Sequence, residues 1–193
     1  MAIIRAGLGS WVLPTSRHKP IKAGDQLKVS FSFEPFLCIQ ETNEQPRMTS
    51  LVGFLYELHG IVLETQQDYW QLMCGVPLIC EQTPYPWLFK GQSIQVFGKL
   101  NVYLEPSLLN QYLVTVRNIS SYLPLFKQLQ MDNNQRIIPG ASTISTREEI
   151  LEYGAQFPPK KIEEIPFPRR FSGLDYYCFD LELSLGSEKK NFY

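Results

Sequence analysis

Glu57 and His59 stand two residues apart in the run Leu55-Tyr-Glu-Leu-His-Gly-Ile-Val-Leu63. On a strand that spacing puts both side chains on one face. A carboxylate and an imidazole so placed form either an acid–base couple or a hydrogen-bonded structural pair, the second being the commoner. Nothing else in the chain extends the pair into a catalytic constellation. There is no G-x-S-x-G, no phosphate-cradling glycine loop and no paired-carboxylate motif, and Glu163-Glu164 lies in a solvated tract. Cys38, Cys74, Cys80 and Cys178 form no C-x-x-C pair, and neither His18 nor His59 is near one of them in sequence. Zinc sites show tighter ligand pairs, so the thiols are expected to be reduced and mostly buried. The chain is expected to be no enzyme, with no catalytic residue, no metal and no cofactor.

Binding chemistry has more to work with. In Tyr69-Trp-Gln-Leu-Met73, inward Trp70 and Leu72 leave Tyr69, Gln71 and Met73 outward. In Ser93–Tyr103, core-facing Ile94, Val96, Leu100 and Val102 leave Gln95, Phe97, Lys99, Asn101 and Tyr103 on the opposite face. Single-strand binders stack bases on aromatic rings and track phosphates with cations. Tyr69, Gln71, Phe97, Lys99 and Tyr103 are the candidate nucleic-acid contacts, with Arg117 expected beside Lys99 on an adjacent strand. The alternative is that this face packs under the N-terminal strand or the C-terminal arm. Tyr85 and Trp87 are expected to plug one end of the fold.

Charge weighs against a strongly electrostatic binder. The 193 residues carry 18 Lys and Arg against 19 Asp and Glu, a net charge of -1. Residues 1–48 hold six basic and four acidic side chains, residues 49–123 three and five, residues 124–193 nine and ten. Such a chain has no global field to attract a polyanion. At 44% hydrophobic and 19% charged it has ample material for a core. The N-terminus lacks a signal peptide's apolar core, and the best apolar run, Leu51–Leu63, is broken by Glu57 and His59. A soluble, cytoplasmic protein is expected.

The elements that position these residues read as mainly β. Residues 1–22 look like an irregular arm. Leu27, Val29, Phe31 and Phe33 alternate with polar residues and predict an added N-terminal strand. Gln40–Ser50 reads as a loop. From Thr49 to Tyr122 short Val/Ile/Leu/aromatic runs are punctuated by turn residues. The strands expected there are a long one over 49–64 bent at Gly53 and Gly60, then 69–74, 76–80, 93–103 and 111–119. Gln66-Gln-Asp68 is a hairpin turn, and Pro86–Gly91 a single helical turn. Thr146 and Glu149 have capping-box spacing for a helix Arg147–Tyr153 stopped by Gly154. A proline-rich arm follows, which must be extended because proline breaks helices. Tyr176–Leu183 alternates weakly and suggests a last strand. The domain boundaries expected are 1–48 for arm and added strand, 49–123 for the barrel, and 124–193 for the extension.

The Gly-interrupted first strand, the Gln66-Gln-Asp68 hairpin and the phrase Lys90-Gly-Gln-Ser-Ile-Gln-Val-Phe-Gly-Lys-Leu100 resemble the oligonucleotide/oligosaccharide-binding (OB) fold. The resemblance covers about 75 residues. It implies a five-stranded Greek-key barrel and a ligand on the face of its second and third strands. The expected function is a non-enzymatic single-stranded nucleic-acid-binding protein or a subunit of a nucleic-acid-processing complex. The alternative is a protein–protein adaptor, in which the barrel is a scaffold and the terminal arms make the contacts. In that reading Phe157, Phe167, Arg169, Arg170 and Phe171 would bind the partner. No membrane partner is expected.

Overall fold

The computed structural model describes residues 3–9, 20–35, 39–104, 111–121, 151, 159–165 and 176–184. Its strands are β1 Ile3–Gly9, β2 Ile21–Lys22, β3 Gln26–Pro35, β4 Gln40–Glu41, β5 Arg47–Val52, β6 Leu55–Thr65 and β7 Trp70–Met73. They continue with β8 Pro77–Cys80, β9 Ser93–Tyr103, β10 Tyr112–Ser121, β11 Lys160–Ile162, β12 Glu164–Ile165 and β13 Tyr176–Leu183. No helix among the described residues is long and apolar enough to cross a membrane.

Pairing runs β6–β7–β8–β3–β10–β13–β1–β9 and returns to β6, so eight strands close on themselves. Closure leaves no open edge within the circuit. Across it, β3 also pairs with β9 from Ser30–Tyr103 to Pro35–Gly98. The protein is therefore a mainly β closed barrel.

Period-two patterning accounts for the core. On β9, Ile94, Val96, Leu100 and Val102 are all buried, as is Gly98, while Gln95, Phe97, Lys99 and Asn101 on the other face are half-buried, as their alternation predicts. Leu27, Val29, Phe31 and Phe33 of β3 are buried too. Phe33 meets Trp70 edge-on, centroids 4.9 Å apart at 89°, and Phe31 lies 5.4 Å from Tyr112. Each such side chain contributes roughly 1.5–3 kcal/mol by leaving water.

Four expectations about architecture are corrected. Residues 1–22 are not wholly an irregular arm: β1 pairs with β13 from Ile3–Glu182 to Gly9–Tyr176, and its Ile4, Ala6 and Leu8 are core. The single long strand over 49–64 is two strands, because Gly53 at φ 55° turns the chain back between β5 and β6. The expected loop Gln40–Ser50 contains β4, paired with β9, and the start of β5. Finally, five strands closed through 111–119 are not what forms. β10 pairs with β3, β13 and β11, while β3 meets β8 in parallel at Ser32–Ile79 and β9 in antiparallel. The strand expected as an addition thus sits at the centre of the closure. Hydrogen bonding between distant strands decides this, and local patterning carries no record of it.

Gly60, expected to mark a bend in the first strand, marks a change of partner in β6. The strand pairs with β5 up to His59 and with β7 from Ile61, so Gly60 sits where the partner changes. The Gln66–Asp68 turn is formed, closed by Gln66 N–H donating to the Tyr69 carbonyl at 2.8 Å. β13 occupies the expected last strand. Lys160–Ile165 lies along the barrel: β11 pairs with β10, β12 with β2, and Ile165 is buried opposite Ile21. Of the expected helix Arg147–Tyr153 only Leu151, which is helical, is among the described residues. Strands from all three expected segments share one core.

Candidate functional site

The six expected nucleic-acid contacts do not converge. Phe97, Lys99 and Tyr103 share the outer face of β9, half-buried. Tyr69 precedes β7 and is half-buried, while Gln71 is 3% exposed. Its neighbour across β8, Ile79, is also 3% exposed. Arg117 is on β10, which is not beside β9: β13 and β1 lie between them on one side of the circuit and β3 on the other. The expected Lys99–Arg117 adjacency is therefore absent.

The cations on these strands are already occupied. Lys99 Nζ lies 2.9 Å from Glu34, its cross-strand partner on β3. Arg117 is paired through its guanidinium with Glu182 of β13. Arg5 grips Asp180 at 2.5 Å, and Asn118 donates to the same carboxylate at 3.1 Å. Burial pushes the Asp180 carboxyl up, but the Arg5 and Asn118 hydrogen bonds and the Arg5 charge outweigh it and hold it below the usual carboxylate range. Tyr103 donates its hydroxyl proton to Glu81 at 3.4 Å. A phosphate approaching this face would meet carboxylates already holding the cations.

Cys38 lies outside the described residues, and the three described thiols are enclosed. Cys74, Cys80 and Cys178 are buried and unbridged. Burial pushes Cys74 and Cys80 up to about 12 and raises Cys178 as well, so all three stay protonated near neutral pH.

Glu57 and His59 are a pair, as their spacing suggests. His59 Nε2 lies 2.9 Å from Glu57 Oε1, and Gln95 donates to the same oxygen at 2.8 Å. His59 is 0% exposed and Glu57 8%. The pair is therefore enclosed in the barrel wall. Among the described residues no cluster of three or more His, Cys, Asp or Glu could hold a metal ion.

The segment between β8 and β9 reverses the expected plug. Tyr85, Trp87 and Phe89 are 46%, 44% and 58% exposed, and it is Leu88, at 6%, that fills the core. The chain turns there: Leu88 N–H donates to the Tyr85 carbonyl at 2.9 Å, and Gln92 N–H to the Phe89 carbonyl at 3.2 Å. Gly91, at φ 88°, anchors the exit by donating to the Val62 carbonyl at 2.7 Å. The turn can direct one side chain of the segment into the core, and Leu88 takes that place. Tyr85 and Trp87 stack, centroids 5.8 Å apart at 28°. Among the described residues these three are the exposed aromatics. The cue available in the sequence was the aromatic spacing Tyr85-x-Trp87-x-Phe89 around a single aliphatic residue.

Phe157, Phe167, Arg169, Arg170 and Phe171 lie outside the described residues.

The arrangement defines a closed β-barrel that, among the described residues, pairs many of its charged groups with one another and presents one exposed aromatic segment. Comparison with protein-family models, with curated proteins and with solved structures finds no match to this chain.

Proposed function

We propose that this chain is a non-enzymatic binding module on an OB-like barrel, and that it docks a protein partner through Tyr85, Trp87 and Phe89. The OB-like reading rests on the subset β6–β7–β8–β3–β9, which also closes on itself, with β3 in the place of the usual last strand. The outer face of β7 and β8, where such barrels take their ligands, is filled here at Gln71 and Ile79. Recognition therefore moves to the segment between β8 and β9.

The observation carrying the reading is the exposure of three aromatics on one short turn. Tyr, Trp and Phe are enriched at the centres of protein interfaces, while charged residues are depleted there. The paired state of Lys99, Arg117 and Arg5 supports a protein rather than a polyanion. A photo-crosslinking residue in place of Phe89, in the native cells, should give a discrete protein adduct. The same probe at exposed Lys28 should not. An absent adduct at position 89, or equal adducts at both positions, would refute the reading.

A second reading is single-strand binding by base stacking. It is favoured by the stacked Tyr85–Trp87 pair beside exposed Lys90, which has no ion pair among the described residues. Oligonucleotide titration followed by Trp87 quenching separates it, since the protein-docking reading expects no saturable quenching at micromolar concentrations.

A further inference from the structure

The buried polar cluster around His59 does more than pin two strands. His59 Nε2 is 2.9 Å from Glu57 Oε1 and 3.4 Å from Arg47 Nη2. A guanidinium can only donate, and a carboxylate only accepts. The shorter contact therefore places a proton on Nε2, donated to Glu57. That leaves Nδ1, which is buried and has no hydrogen-bond partner. It lies 3.7 Å from Glu44 Oε2, just beyond bonding distance. Glu44 belongs to the connection between β4 and β5, and Arg47 of β5 holds it at 2.6 Å.

An unpartnered buried nitrogen is costly. A second proton on the ring removes that cost, since Nδ1–H would be a donor aimed at a carboxylate. It also balances the cluster, with Glu44 and Glu57 negative and Arg47 and the imidazolium positive. From β9, Gln95 donates to Glu57, and from β4, Gln40 donates to Gln95 at 2.7 Å, while Glu41, the charged residue of β4, accepts from Gln92 at 2.6 Å.

We propose that His59 is a proton-operated latch that fastens the β4–β5 connection to the barrel wall. With both nitrogens protonated the ring bridges Glu57 of β6 to Glu44. With Nδ1 bare, that bridge is lost, and the connection is held by Arg47–Glu44 and by Thr42 N–H donating to the Ser93 carbonyl at 3.0 Å.

The test is hydrogen exchange at the Thr42 and Glu44 amides of the full chain between pH 5.5 and 8.5, corrected for intrinsic rates. Protection should fall roughly tenfold as pH rises, the scale of one charge-assisted hydrogen bond. The fall should coincide with the change in the His59 ring nitrogen resonances. In Glu44→Gln, a half-exposed position where folding is not at risk, the pH dependence should vanish. Protection that does not change with pH in the parent, or an equal dependence in Glu44→Gln, would overturn the proposal. So would ring resonances showing one protonation state throughout.

Discussion

A Cβ on Gly60 would lie 2.6 Å from the Met73 carbonyl oxygen and 2.7 Å from the Leu72 side chain. β7 backbone presses onto β6 at the residue where β6 exchanges β5 for β7 as its partner. A flexible side chain could move aside, but a strand carbonyl held in the ladder cannot without breaking its pairing.

Gly60→Ala should therefore destabilise the protein by about 1–3 kcal/mol, the usual cost of overpacking. Urea unfolding measures it, with an unchanged m-value expected. Gly24→Ala serves as a contrast. Gly24 has open space around it, and its φ of 95° makes its cost one of backbone strain alone. A loss at Gly60 no larger than at Gly24 would contradict the steric account.

Adjacent residues in the β8–β9 segment should behave oppositely. Leu88→Ala should cost about 2–5 kcal/mol as a core truncation. Trp87→Ser and Phe89→Ser, at exposed positions, should stay within about 0.5 kcal/mol. Thermal melts of the three variants decide it, and a large loss at Trp87 would mean that its ring is structural.

Acid stability should depend on Asp180. Its folded-state pKa is depressed, so its contribution is present above the ordinary carboxylate value of about 3.9 and is lost as pH falls through the folded value. Asp180→Asn should flatten the stability profile below about pH 4 and lower stability at neutral pH. Arg5 is 44% exposed, so solvent screening keeps the pair to roughly 1 kcal/mol or less. Melts across the acid range, with Arg5→Gln as the partner arm, measure both effects.

The three described cysteines should be silent to thiol reagents in the native state. With Cys38→Ser in the background, Cys74, Cys80 and Cys178 should react at pH 8 only once denaturant is added. Fast labelling of the folded protein would show that the barrel opens locally around one of them.

Much of the barrel was legible because strand patterning is local. The clean alternation of Ile94, Val96, Leu100 and Val102 follows from the pleat alone, and so does the Glu57–His59 pair. The turn at Gln66–Asp68 also follows from residue types in place. β1 was missed although Ile4, Ala6 and Leu8 alternate, because its two glycines weaken that signal.

The sequence by itself determined which side chains share a face. Only the tertiary structure decided what lies against that face. Lys99 is a free cation until β3 brings Glu34 beside it, and Arg117 until β13 brings Glu182, 65 residues away. Leu88 takes the single inward place in its segment and leaves Tyr85, Trp87 and Phe89 to the surface. The physical reason is that a period of two fixes orientation within a strand. Neighbours are chosen by hydrogen bonds and packing between strands far apart in the chain, and no local pattern encodes them.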